Sequence, residues 1–216
     1  MGVENAVLAT GGSGGTPANL TVEYNGINWI SGPNVATSRE ALEGAGSQNA
    51  AAVFGGHPAA NNGKCTEEYN GTSWTNSGAA VIGTRSSAGG GTNSQGIMVG
   101  GNNDTDHIAC TQLYNGGTFH GTLSAWSAGG ALITANHYHG TTGIQNAALS
   151  GGGTQASRIG VEEYNGTSWA VAGTLICGRA DGAGMFGTTN AAGFAGVASP
   201  TLQSSFEKYN GTVWSL

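Results

Sequence analysis

The feature that most constrains the fold is a short segment that returns along the chain. Tyr-Asn-Gly occurs five times, beginning at Tyr24, Tyr69, Tyr114, Tyr164 and Tyr209, at intervals of 45, 45, 50 and 45 residues. In four copies a Trp follows five residues after the Tyr, whereas the third copy has Phe119 there and Trp126 further on. A sustained period of this size predicts an array in which each repeat is one structural unit packed against its neighbours.

Two other segments precede each triplet. A short apolar run ending in Gly occurs five times, at 5–12, 49–56, 95–101, 146–153 and 190–196. A further segment, in most copies carrying Arg, precedes four of these runs, at 38–46, 84–91, 135–143 and 178–184. Their short length, their Gly, Asn and Ser boundaries and the lack of a 3.6-residue period predict β-strands. Asn-Gly predicts a type I′ hairpin turn, so each unit is expected to form four antiparallel strands.

A single four-stranded sheet of this composition cannot bury both of its faces, and radial packing of such sheets solves the problem. We therefore predict an all-β, five-bladed β-propeller as one domain over residues 1–216. The expected units are approximately 1–34, 35–79, 80–130, 131–173 and 174–216. Since the Arg-type segment appears only four times, we expect 19 strands, with the innermost strand of the first blade missing. The Gly- and Ala-rich inner strands of the predicted propeller indicate a narrow axial channel.

An Arg-led strand, an apolar strand closing on Gly-Gly, a Glu-Tyr strand and a Trp strand together resemble the kelch repeat over nearly the whole chain. The chain departs from that pattern by its Tyr-Asn-Gly turn and by units shorter than the roughly 50 residues usual for kelch. The segment EEYNGTSW at 67–74 is similar to kelch-like repeats of bacteriophage tail-associated proteins, especially marine ones. This resemblance implies a non-enzymatic virion protein of the tail-fibre type. It would bind a host-surface glycan or protein, or neighbouring virion proteins, and is compatible with a homo-oligomer.

Charge and composition argue against several other classes. The chain has 6 Lys and Arg, spread along its length, and a net charge of −6, so no basic stripe is available for nucleic acid. No apolar run approaches the roughly 20 residues of a membrane helix. The first residues lack the charged and apolar regions of a secretory signal, so we expect no signal peptide. The three cysteines, Cys65, Cys110 and Cys177, are predicted to be free thiols.

The segments after each Gly-Gly differ between units, and loops on a rigid scaffold often carry binding residues. The second and third of these loops hold most of the polar candidates, which are His57, Asn61, Asn62, Lys64, Asn102, Asn103, Asp104, Asp106 and His107. Trp126, in the lengthened third unit, is a candidate for stacking on a sugar if it is exposed, and is otherwise a core residue. Neutral drift of exposed loops is the alternative explanation for this variation.

The repeated residues favour a structural role rather than catalysis. Arg39, Arg85 and Arg179 are expected to pair, within or between blades, with the repeated glutamates, which are Glu67, Glu162 and Glu207 at one position and Glu23, Glu68 and Glu163 at the next. Paired carboxylates for glycoside hydrolysis are the alternative, but identical positions in successive units indicate scaffold. We expect no catalytic residues and no cofactor.

His137 and His139 are spaced to share one strand face, which makes them weak metal candidates in a chain expected to hold none. Besides the virion protein, a free lectin-like glycan-binding propeller and a propeller hydrolase remain as alternative functions.

Overall fold

The computed structural model describes residues 1–58, 63–116, 124–154, 158–180, 184–196 and 204–216. Within these ranges the chain forms 20 β-strands and no helix. The strands assemble into five four-stranded antiparallel sheets, each made of consecutive strands. The predicted all-β, five-bladed propeller is therefore confirmed.

The first two blades lie in the first third of the chain. Blade 1 contains β1 (Gly2–Val3), β2 (Ala6–Thr10), β3 (Thr21–Tyr24) and β4 (Trp29–Ser31). Blade 2 contains β5 (Glu43–Ser47), β6 (Ala50–Phe54), β7 (Thr66–Tyr69) and β8 (Trp74–Asn76).

The other blades follow in chain order. Blade 3 contains β9 (Ala88–Gly91), β10 (Gln95–Val99), β11 (Thr111–Asn115) and β12 (Ala125–Ala128). Blade 4 contains β13 (His139–Ile144), β14 (Ala147–Gly152), β15 (Gly160–Tyr164) and β16 (Trp169–Thr174). Blade 5 contains β17 (Gly184–Thr188), β18 (Ala191–Ala195), β19 (Phe206–Tyr209) and β20 (Trp214–Ser215).

This up-and-down order gives the propeller two different ends. The turns between first and second strands and between third and fourth strands lie at one end, which we call the hairpin end. The loops between second and third strands, and the connectors that lead from one blade to the next, lie at the other, which we call the loop end. The first strands of blades 2 to 5 contact one another in sequence, and β1 contacts β5, so the first strands surround the axis.

The cores lie between blades rather than inside them. Four apolar clusters join successive blades, and in each the Tyr and Trp of one hairpin pack on the preceding blade. Tyr69, Tyr114, Tyr164 and Tyr209 are at most 5% exposed. Each such side chain contributes about 1.5–3 kcal/mol by burial, which is why the aromatic pair recurs in every unit.

The innermost strand of blade 1 is present, so the expectation of 19 strands is wrong. Gly2 and Val3 pair with Val7 and Ala6, and Met1 continues the pairing through two backbone hydrogen bonds with Leu8, of 2.8 and 2.9 Å. This strand is two residues long and carries no Arg-type segment, so it has no signature in the repeat pattern. Beyond Leu8, the inner edge of β2 borders a cavity of about 310 Å³.

Two buried ion pairs anchor the scaffold at the loop end. Arg39 with Glu67, and Arg179 with Glu207, lie 2.9 Å apart with fully buried side chains. Arg39 also donates to the backbone carbonyls of Gly55 and Cys65, at the two ends of the loop between β6 and β7. The expected Arg–Glu pairing is confirmed for these two arginines, and it holds together the base of each loop.

The repeated carboxylates also bind the connectors. Glu67 accepts hydrogen bonds from the backbone N–H groups of Ala36 and Thr37, and Glu162 and Glu207 bind their own connectors in the same way. In blade 3 Gln112 replaces the Glu and bonds both the N–H and the carbonyl of Ile82. These contacts account for the carboxylates as scaffold.

Candidate functional site

One position at the loop end carries a different chemical group in each of three adjacent blades. Arg39, Thr84 and Asn136 are equivalent. Each donates its backbone N–H to a carbonyl in the loop between the second and third strands of the preceding blade. The next residue is Glu40 in blade 2, Arg85 in blade 3 and His137 in blade 4, as the sequence shows. The scaffold therefore presents a carboxylate, a guanidinium and an imidazole from one repeated backbone position.

Each of these groups contacts a residue of a neighbouring loop. His57 Nδ1 lies 3.4 Å from Glu40 Oε1, at the start of the loop between β6 and β7. Arg85 Nε donates to Asp104 Oδ1 at 2.6 Å, with both side chains about 30% exposed. The third expected Arg–Glu pair is thus replaced by this partly exposed pair, because Thr84 holds the position of Arg39 and Gln112 that of the Glu.

In blade 4 the same position forms an aromatic cluster with the loop of blade 3. The His137 ring lies 3.9 Å from the His107 ring and 4.6 Å from the Tyr138 ring, measured between centroids. His137 Nδ1 is 2.7 Å from the hydroxyl of Thr154. Three aromatic rings are therefore held side by side where two blades meet.

A shallow cavity of about 450 Å³ opens between these groups, and its lining includes Glu40, His57, Arg85 and Tyr138. We call this cavity, with the adjoining Asp104, His107 and His137, the loop-end groove. It combines hydrogen-bond donors, acceptors and an aromatic ring, which is the mixture that binding sites use to orient polar ligands.

The rim of the groove is built on a strained backbone. Ala41, Ser86 and Tyr138 are equivalent residues with φ of 52°, 51° and 53°, values that non-glycine residues rarely adopt. The Ser86 N–H donates to the Ala41 carbonyl at 3.0 Å, and the Tyr138 N–H donates to the Ser86 carbonyl at 3.1 Å. This chain of hydrogen bonds runs from blade to blade and holds residues whose strain costs on the order of 1–3 kcal/mol each.

A second cavity, of about 400 Å³, lies below this rim at the loop end of the axis. The Gly- and Ala-rich inner strands predicted a narrow channel, but the described residues of blade 1 contribute no lining here, because β1 ends after two residues. The space that a longer first strand would fill is consequently open. Ser87, His139 and Thr141 line the cavity, and their side chains are at most 7% exposed.

Two titratable groups in this lining are shifted toward their neutral forms. Desolvation raises the pKa of Glu43 to about 8, and the Met1 amino group offsets only part of that effect. Burial, followed by the charge of His137, lowers the pKa of His139 to about 3. At neutral pH the cavity is thus lined by a protonated carboxyl and a neutral imidazole. Glu43 is the only carboxyl among its described lining residues, so two carboxylates do not meet there as glycoside hydrolysis requires.

The structure brings most of the predicted binding residues to the loop end. Lys64, Asp104, Asp106 and His107 are exposed there, and His57 lies beside Glu40. The side-chain oxygens of Asn102 and Asn103 accept hydrogen bonds from backbone N–H groups of their own loop, including those of Asp104 and Asp106. These two asparagines therefore shape the loop. Asn61 and Asn62 lie outside the described residues.

Trp126 does not belong to this surface. It pairs with Tyr114 in the register of the repeat Trp, packs on Phe54 at 5.2 Å between ring centroids, and donates from Nε1 to the Thr66 hydroxyl at 2.9 Å. Trp169 makes the equivalent bond to Thr111. Trp126 is therefore partly buried against blade 2, in the core position that is the alternative to sugar stacking.

His137 and His139 do not share a face. Tyr138 between them has a positive φ, which breaks the strand alternation, so His137 contacts the loop of blade 3 while His139 is 4% exposed at the start of β13. Over the described ranges, no three His, Cys, Asp or Glu residues come together as metal ligands.

Residue-by-residue reading of the loops missed Glu40, Glu43 and Tyr138. They lie inside repeated segments, and repetition indicates scaffold rather than a binding site. A comparison of the repeats position by position would have shown that Glu40, Arg85 and His137 differ at a place where the backbone is the same.

Comparisons with known proteins support the fold of this chain and do not identify a family. No family model and no curated protein matches the chain. One similar solved structure, described as "Structure of YjhT", has a TM-score of 0.77 and 12% sequence identity, and the match covers 96% of this chain and 79% of that one. That neighbour is a propeller, and at this identity the likeness supports the architecture alone. In the part of the chain that the structure describes, no helix is long and apolar enough to span a membrane.

Proposed function

We propose that this protein is a non-enzymatic binding module that contacts its partner through the loop-end groove, and that it serves as a tail-associated or surface component of a phage virion. The observation that carries the binding role is one repeated position that holds Glu40, Arg85 and His137 in three adjacent blades. Glu40 and Arg85 line a single cavity, and His137 lies against Tyr138, which lines it too. Scaffold positions such as Glu67 and Glu207 keep the same contacts from blade to blade.

The place in a virion is supported by the EEYNGTSW-type repeats alone, since they are similar to repeats of phage tail-associated proteins. A rigid propeller suits such a position, because binding then costs little conformational entropy in the scaffold. Its partner would be a glycan or a protein on the host surface, or a neighbouring virion protein.

The groove is suited to a hydroxyl-rich ligand. The Glu40–His57 and Arg85–Asp104 pairs offer acceptors and donors that are already oriented by each other. Tyr138 is 37% exposed on the rim and presents an aromatic ring with a polar tip, as carbohydrate and protein interfaces often do. A free lectin-like propeller is therefore the second candidate function, favoured by this same ring.

The binding role is tested with host cells and a glycan array, using the purified chain and the Arg85→Ala/Tyr138→Ala double variant. We expect the double variant to lose at least about tenfold in affinity, corresponding to about 1.4 kcal/mol. Thr72→Ala and Thr212→Ala, in the hairpin turns at the opposite end, are the matched controls and should bind like the original chain. Equal binding by the double variant and the controls would contradict the assignment of the groove.

The virion role is tested separately by immunogold electron microscopy of phage particles. Label on the tail or particle surface supports it. Label absent from intact particles, together with glycan binding by the free protein, would instead favour the lectin-like module.

A further inference from the structure

The seam between blade 5 and blade 1 differs from the four other boundaries between successive blades. Each of the four is sealed by an apolar cluster that includes residues of both blades. Between the described residues of blade 5 and those of blade 1 there is no such cluster, and no hydrogen bond, ion pair or ring contact joins them. Each of these two blades therefore has one sheet face without a partner.

The open face of blade 1 carries the aromatic pair that is buried or partly buried in the other blades. Tyr24 and Trp29 are cross-strand partners with ring centroids 5.2 Å apart, like their equivalents in the other blades. Trp29 is nevertheless 54% exposed, whereas Trp169 and Trp214 are 6% and 7% exposed. A hairpin built to cover the preceding blade thus covers nothing within this chain.

The open face of blade 5 carries two stacked phenyl rings. Phe186 and Phe206 are 54% and 38% exposed, with centroids 5.7 Å apart and planes inclined by 6°. They lie over Gly193, where a Cβ would come within 2.7 Å of both rings. Gly193 occupies the register position of Leu8 and Leu149, which pack against the next blade, so the phenyl pair takes the place of that aliphatic side chain.

A change in blade 1 indicates how this face is used. Glu67, Glu162 and Glu207 each bind the connector that arrives from the preceding blade. Val22 stands at the equivalent position of blade 1, next to Glu23 in β3. This face retains the aromatic pair for packing but lacks the group that binds an incoming connector, which fits a sheet that belongs to a separate molecule.

We propose that a second copy of this chain docks at the seam, with blade 1 of one copy packed on blade 5 of the other. The two faces are the two halves of an interface that the chain builds four times internally, so a second copy supplies the half that each face lacks. Because the two halves differ, the contact is head-to-tail rather than isologous. Tyr24 and Trp29 would cover Phe186 and Phe206, as hairpin aromatics cover the preceding blade elsewhere.

The test uses one variant for each half, Trp29→Glu and Phe206→Glu, with Val171→Glu as a matched control. Val171 is 74% exposed on the outer strand of blade 4, away from both faces. Sedimentation velocity over a range of concentrations measures assembly, and circular dichroism melting shows whether each variant is folded. We expect the original chain and Val171→Glu to form species of at least twice the 21.4 kDa chain mass. Each seam variant alone should associate at least about 30-fold more weakly, as loss of a central aromatic contact implies.

A mixture of the two seam variants distinguishes the proposed geometry from others. Each variant keeps one intact half, so an equimolar mixture should recover a 1:1 dimer and no larger species. A monomeric original chain at all concentrations would overturn the proposal. Dimers of either seam variant alone that are as tight as those of the original chain would also overturn it, because they would show that like faces pair or that the contact lies elsewhere.

Discussion

At the hairpin end, four of the five Tyr-Asn-Gly turns have the same structure. The side-chain oxygens of Asn25, Asn70, Asn165 and Asn210 each accept two backbone N–H groups, and the following glycines have φ between 88° and 92°. The hairpins are present, but the predicted type I′ turn is wrong, because only the Gly and not the Asn has a positive φ and the Tyr pairs with the Trp across four residues. At the loop end, equivalent positions hold Glu40, Arg85 and His137. At the hairpin end the residues are constrained, because the backbone needs a particular turn. At the loop end the exposed residues are free to differ, because buried arginines and glutamates already hold the loop bases.

The largest expected effect on stability comes from comparing two arginines at the loop end, one buried in the scaffold and one on the surface. Arg39→Ala leaves the fully buried Glu67 without its cation, so we expect a loss of about 3–5 kcal/mol in the free energy of unfolding. Arg85→Ala removes a partly exposed pair with Asp104 and should cost about 1 kcal/mol or less. Urea denaturation measures both. Similar losses for the two variants would mean that Arg85 belongs to the scaffold.

The axial cavity should make stability depend on pH in an unusual direction. Since the pKa of Glu43 is about 8 in the fold and near 4.5 when unfolded, the native state keeps a proton that the unfolded state releases between these values. Stability should therefore fall as the pH rises from 4.5 to 8. Because the side chain keeps some contact with solvent in the cavity, we expect about 2 kcal/mol, less than the full shift would give.

Glu43→Gln is the comparison for this effect, since it keeps the shape and removes the titration. From pH 5 to pH 8.5 the unfolding free energy of the original chain should fall relative to that of the variant. A constant difference would show that the Glu43 carboxyl is ionised in the fold. Taking the difference also cancels other groups such as His139, whose lowered pKa destabilises the fold as the pH falls below 6.5.

The smallest expected effects come from substitutions at positive-φ residues, one at each end of the propeller. The two changes in stability should have opposite signs. Gly71→Ala in a hairpin turn places a Cβ at φ 88° and 3.3 Å from the Asn49 carbonyl oxygen, so it should destabilise by about 1 kcal/mol. Ala41→Gly on the rim relieves a φ of 52° and should stabilise by up to about 1 kcal/mol. Thermal unfolding of the two variants checks both. Destabilisation by Ala41→Gly would show that the rim is not strained.

The repeat alone determined the blades, the hairpins, the five-fold architecture and the location of variable residues in loops after each Gly-Gly. These features are local, because alternation, Asn-Gly turns and recurring Tyr–Trp pairs act within a unit of about 45 residues. Burial of the repeated Tyr and Trp could be predicted for the same reason, since a lone sheet of this composition must cover its faces.

Only the tertiary structure decided the features that depend on contacts between units. The positive φ of Tyr138, held by a hydrogen bond from blade to blade, separates His137 from His139 although their spacing predicted a shared face. Trp126 is partly buried because it pairs with Tyr114 in the register of the repeat, although extra residues precede it in the sequence. The two-residue β1 opens the axial cavity, and the exposure of Trp29 at the seam follows from which blades meet. Such outcomes depend on distant segments, and no local pattern in the sequence records them.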